Sequence, residues 1–168
     1  MSTSKIRRND DKIYKLNINK LIKWIKAKKW DIRFGFFIDE ISYPEKIISI
    51  DKRFKLENQL YSILHECGHL LLLLNKNYIN NYPYTFTVDN FLNKNKRLVN
   101  SKRYQVELIS EEIAAWEKGL LLAKKLKIKL NKASYRKESS KYIWTYIEEA
   151  FIVTCNTNKK KKNDNKRK

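Results

Sequence analysis

Cysteine, histidine and long apolar runs are all scarce in this chain. Its two cysteines, Cys67 and Cys155, lie far apart and form no CxxC pair. A disulfide framework and a cysteine zinc knuckle are therefore not expected, and a reducing compartment fits. The longest apolar run is the five leucines Leu70 to Leu74, far too short to cross a bilayer. Met1 to Lys12 is polar and mixed in charge, without the apolar centre of a signal peptide. The expectation is a soluble, intracellular protein with no membrane partner, cytoplasmic or, for a viral product, in the host cell. Acidic residues are also few: 18 Asp and Glu face 37 Lys and Arg, a formal charge of +19. Such an excess invites a nucleic-acid partner. Arginine, however, is the minority cation, and the profile rich in lysine, asparagine and isoleucine is one that AT-rich coding produces without selection for binding. Nonspecific contact with nucleic acid through the lysine-rich surface and tail is the expectation, not base reading.

What is present suits one compact domain. The chain has 168 residues, 42% of them hydrophobic and 12% aromatic, with no internal repeat. Residues 1–12 read as a flexible arm. From Asn17 the recurrence of Ile18, Leu21, Ile22 and Ile25 predicts a helix, with Lys20, Lys23, Lys26 and Lys28 on its solvated face. Trp24 and Trp30 read as packing anchors. Asp31 to Ile38 alternates and is aromatic and β-branched, so it predicts a strand. Ser42-Tyr43-Pro44-Glu45 is a turn, and Lys46 to Asp51 is a second short strand. A helix from near Lys55 to near Asn75 follows. Residues 75–100 exceed an ordinary connection and read as a long loop or flap, in which Tyr82, Tyr84, Phe86 and Phe91 either line a cleft or pin the loop down. Helices are predicted over Lys102 to Leu126 and Ser139 to Val153, and residues 154–168 as a disordered basic tail. The domain proper is thus 13–153, and its class is α+β: a short sheet beside two long helices.

The chemistry is concentrated in the first of those helices. His65-Glu66-Cys67-Gly68-His69 has the form H-E-x-x-H, and the chain's two histidines are both in it. Residues four apart on a helix project from one face, so both imidazoles can grip one metal ion. Glu66 stands where its carboxylate reaches a water on that metal rather than the metal itself. The surroundings are apolar: Leu56, Leu60, Ile63, Leu64 and Leu70 to Leu74. Two histidines and a carboxylate are costly to bury there without a partner, and a metal ion is such a partner.

The second helix supplies a candidate third ligand. At about 100° per residue, Ile109, Ile113, Trp116, Leu120 and Ala123 form one apolar face. Glu112 falls within it, Glu111 at its edge, and Glu107 and Glu117 outside. A carboxylate on a core-facing stripe needs a cation. Glu112 is the ligand this reading favours, and Glu111 is its substitute.

With both helices in hand, the chain resembles the zincin superfamily of metallopeptidases. The metzincin pattern needs a histidine at position 75, which is Asn75, and the SprT-like and Wss1-like pattern needs one at 73, which is Leu73. The glutamate-ligand arrangement remains. Here the similarity is to small ImmA/IrrE-like and phage- or virus-encoded metallopeptidases, carried by Leu64 to Leu70 and by Glu112 with Ala115-Trp116. The resemblance covers roughly residues 17 to 127. It implies a minimal zincin-like domain in which a short sheet packs on the HExxH helix and a second helix bears a ligand. It also implies a Zn²⁺ cofactor on His65, His69 and Glu112, with Glu66 as the general base of peptide-bond hydrolysis. The expected function is therefore a zinc metallopeptidase acting on an intracellular protein substrate. The alternative is a basic nucleic-acid-binding or virion-associated module with a structural metal site and no catalysis. A third reading joins them, a protease recruited by its basic tail.

Overall fold

The structure is a computed structural model. It describes the backbone of residues 3–90 and 96–165 and the side chains of residues 10–86 and 97–153. Helix α1 spans Thr3–Ala27, so the helix expected from Asn17 starts earlier and takes in most of the segment read as an arm. Its buried side is Ile18, Leu21 and Ile25, as the periodicity required. The helix ends where Lys29 turns left-handed (φ 62°), and the Trp30 N–H returns to the Ile25 carbonyl. Glycine usually occupies such a position. This chain, with three glycines, uses lysine instead: Lys29, Lys46 and Lys127 are the non-glycine residues of positive φ among those described.

Three strands follow: β1 (Asp31–Gly35), β2 (Glu40–Ser42) and β3 (Ile47–Asp51). The expected strand to Ile38 thus stops at Gly35, and the short β2, missed in the periodicity, precedes the turn. The order is β1-β3-β2, with β1 parallel and β2 antiparallel to the central β3. Ile48 and Ile50 of β3 are fully buried and join Leu60, Ile63 and Leu64 of the next helix in one core. That helix, α2 (Leu56–Leu73), lies within about two residues of its expected ends. Gln59 secures its entry by donating to the carbonyls of Lys52 and Phe54.

The segment 75–100 carries short helices rather than open loop: α3 (Tyr78–Asn81), α4 (Pro83–Asn90) and α5 (Lys96–Val99). Tyr82 and Phe86 pin α3 and α4 down against Leu72, Tyr78 and Ala115. Phe91 lies outside the described residues. Helix α6 (Lys102–Lys125) matches its expected span, with Ser101 capping its first turn at Tyr104 N. Its buried stripe, however, is Tyr104, Gln105, Glu111, Glu112, Ala115, Trp116, Gly119, Leu122 and Ala123. The expected apolar face was therefore turned too far: Ile113 is 42% exposed. Where α6 meets α2 the face is set by close backbone approach at Ala115 and Gly119. Helix α7 (Lys132–Asn165) exceeds the expected Ser139–Val153 at both ends and runs through most of the segment expected to be a disordered tail. The side chains of 154–168, including Cys155, lie outside the described residues.

The architecture is α+β, with a small sheet on one side of a helical body. No helix among the described residues is long and apolar enough to cross a membrane.

Candidate metal centre

Helices α2 and α6 cross at almost van der Waals distance because two glycines permit it. A Cβ on Gly68 would stand 1.9 Å from the Ala115 carbonyl oxygen, and one on Gly119 would stand 2.4 Å from that of Leu64. This crossing sets the histidine face of α2 against the Glu112 turn of α6. The Nε2 atoms of His65 and His69 lie 3.2 Å apart. Glu112 Oε2 is 3.2 Å from His65 Nε2, and its Oε1 is 3.5 Å from His69 Nε2. Two nitrogens held tetrahedrally at about 2.0–2.1 Å from one ion stand about 3.3–3.4 Å apart. The spacing fits. The buried Glu112 Oε2 also has no hydrogen-bond partner of good geometry among the described residues, which is costly for a carboxylate. One donor atom from each of His65, His69 and Glu112 lies within 4.8 Å of the others. This group can hold a metal ion.

The electrostatics point the same way. Burial opposes charge on His69, yet the carboxylates of Glu111 and Glu112 outweigh it and hold the imidazole well above its ordinary pKa. Burial likewise opposes charge on Glu112, and the contacts to His65 and His69 overcome it, keeping the carboxyl well below the usual range. A cation belongs between these groups, whether a proton or a metal. The Glu66 carboxyl, only 5% exposed, is pushed up by burial despite the pull of both histidines.

Around the triad lies a crevice of about 70 Å³, lined by Asp39, Ser62, His65, Glu66, Glu112, Trp116, Tyr142 and Tyr146. Trp116, one turn after Glu112, stacks on the His65 ring (4.4 Å between centroids, 23° between planes), and Tyr142 stacks on Trp116. The structure thus brings His65, His69, Glu66 and Glu112 together. It places Glu111 elsewhere: Glu111 Oε1 is 3.5 Å from Nδ1 of His69, on the far side of the ring from the triad. The same oxygen accepts a 2.8 Å hydrogen bond from the Tyr78 hydroxyl. Asp39, Tyr142 and Tyr146 were not singled out from the sequence. Two tyrosines four apart on the last helix were the available signal, and only the packing of α7 on α6 gives it meaning.

No protein-family model matches this chain, and no curated protein or solved structure matches it either. The likeness to zincins is one of motif and spacing alone.

Proposed function

We propose that the protein is a zinc-dependent metallopeptidase with a minimal zincin-like domain. The observation that supports this most is the triangle of His65 Nε2, His69 Nε2 and the Glu112 carboxylate, with Glu66 buried beside it. His65, His69 and Glu112 would hold the ion, and three protein ligands are the set catalytic zinc sites use. Zinc bound there supplies Lewis-acid chemistry, polarising a carbonyl and lowering the pKa of a water from about 15.7 toward about 7. Glu66 takes the proton from the attacking water at its carboxylate and returns it to the nitrogen of the breaking C–N bond. Burial, which raises its carboxyl, favours holding that proton between the two steps. Trp116 and Tyr142, stacked in series on His65, fix the ring and wall the crevice. At about 70 Å³ the crevice has room for one or two waters, so a peptide would present only its scissile carbonyl to the triad.

The test is Glu66→Gln. It leaves zinc content, read by elemental analysis, at the wild-type value. Comparison of all cleavage products in the native cell shows a loss of ~100- to 10,000-fold, the range a general base contributes. Identical product profiles for wild type and variant would overturn the peptidase reading. With zinc still bound, that result would leave a structural metal clip on a basic nucleic-acid-binding module, the reading favoured by the formal charge of +19.

A further inference from the structure

We propose that Glu111 is a positioning residue for His69, and that the α3–α4 segment exists in part to hold Glu111 in that role. The inference rests on the metal reading of the triad and is independent of the peptidase chemistry.

Glu111 is 3% exposed, and a buried carboxylate needs compensation. Its carboxylate accepts from the Tyr78 hydroxyl at 2.8 Å and faces His69 Nδ1 at 3.5 Å. Glu111 and Glu112 are neighbours on α6, so their side chains leave the helix about 100° apart. They meet the same imidazole at different nitrogens: Glu111 at Nδ1, Glu112 at Nε2. Nδ1 has no hydrogen-bond partner among the described residues, and its 3.5 Å from Glu111 Oε1 is longer than a formed hydrogen bond. With Nε2 turned to the triad as a ligand, the ring proton falls on Nδ1 and faces the Glu111 oxygen. A second carboxylate behind a metal-binding histidine both selects the tautomer and raises the basicity of the ligating nitrogen.

The support reaches further along the chain. Glu107, one turn before Glu111 on α6, accepts from the N–H groups of Tyr84 (2.6 Å) and Thr85 (2.9 Å) at the start of α4. Tyr78 is itself buried against the rings of Tyr82 and Phe86. Two glutamates four residues apart thus bind α3–α4 to α6, and the second passes that order to His69. The segment works as a buttress rather than a flap.

The experiment measures zinc affinity by competition with a chromophoric chelator, and Co²⁺ spectra, for wild type, Glu111→Ala, Glu111→Gln, Tyr78→Phe and Glu112→Ala. Glu111→Ala should bind zinc about 10- to 100-fold more weakly, the usual cost of removing a group behind a ligand. Its Co²⁺ bands should stay at wild-type positions because the ligand set is intact. Glu111→Gln keeps an acceptor for the N–H and should recover most of the affinity, and Tyr78→Phe should show a smaller loss in the same direction. Glu112→Ala should lose more affinity and shift the bands. Unchanged zinc affinity in Glu111→Ala would overturn the proposal, as would a band shift like that of Glu112→Ala. If Glu111→Ala fails to fold by circular dichroism, Glu111→Gln decides: ¹⁵N spectra of its zinc-loaded imidazoles should still show His69 protonated at Nδ1, and any other tautomer refutes the assignment. A wild-type chain that takes up no zinc removes the metal reading and this proposal together. Zinc uptake without proteolysis removes only the peptidase.

Discussion

Gly68 occupies a variable position of the H-E-x-x-H pattern, yet the structure gives it a specific task. Its missing Cβ is what lets the Ala115 carbonyl approach α2. Backbone, unlike a side-chain tip, cannot swing aside. Gly68→Ala gains about 1 kcal/mol in helix propensity but must part the two helices, an overpacking that costs more than the gain. We expect a net loss of about 2 kcal/mol, which at this chain length lowers Tm by roughly 4–8 °C. Zinc affinity should fall more than tenfold, because the histidines and Glu112 sit on opposite sides of the parted contact. Thermal melts and chelator competition check both numbers, and the exposed Glu117→Ala serves as a control expected within about 0.5 kcal/mol of wild type. The chain's motif was legible at this scale: two histidines four apart must share a helical face. The preference for Glu112 over Glu111 could be read from the helical stripe, but the approach of Glu111 to the other nitrogen of His69 could not, since both glutamates are buried on α6 and only the path of α2 beside them decides which nitrogen each meets.

At the scale of elements, Glu57 of α2 acts on a tyrosine of its own helix and on one of α1. It accepts a 2.6 Å hydrogen bond from the Tyr61 hydroxyl. Burial and then the charge of Glu57 push Tyr14 of α1 from 10.0 up to about 12. Burial and the bond to Glu57 raise Tyr61 further still. The folded state therefore holds both protons more tightly than the unfolded chain does. The associated stability is complete below the ordinary tyrosine pKa near 10 and is lost as pH rises through about 12. Melting temperature should be level up to about pH 10 and then fall, in step with the ultraviolet absorbance of tyrosinate. In Glu57→Gln the fall should be shallower, and a curve superimposable on wild type would show that Glu57 plays no part. The spans of α2 and α6 followed from apolar period. The stripe on α6 did not, because Ile113, Leu120 and their neighbours are bulkier than the helix crossing at Gly68 and Gly119 accepts. β2, three residues long, is too short for its alternation to stand out from a turn.

The whole molecule carries a formal charge of +19, yet Asp39, Glu66 and Glu112 all line one crevice. Carboxyl groups gathered in one crevice of a cationic protein favour a small cation there over a polyanion. Folding and metal binding are then coupled, since the unfolded chain scatters the three donors. On the zinc reading, the ion at about 100 times its Kd should add about 2.7 kcal/mol of stability, or roughly 5–11 °C in Tm for a chain of this size. A chelator should remove that increment, and Glu112→Ala should lack most of it. Scanning calorimetry with and without zinc measures both, and a Tm indifferent to zinc would count against a site that joins two helices.

By itself the sequence determined the two histidines on one helical face, the glutamate after the first, the mixed α+β class and the long helix that brings a carboxylate to the core. Those properties follow from local periods of 3.6 and 2.0 residues, which any reader of the chain can count. Only the tertiary structure decided that Glu112 faces both Nε2 atoms while Glu111 stands behind His69, that α3 and α4 brace the site, and that α7 closes its wall with Tyr142 and Tyr146. These depend on how far apart helices pack and how each is rotated about its axis. Glycines and alanines at the crossing set both quantities, and their small side chains leave no mark on the hydrophobic pattern.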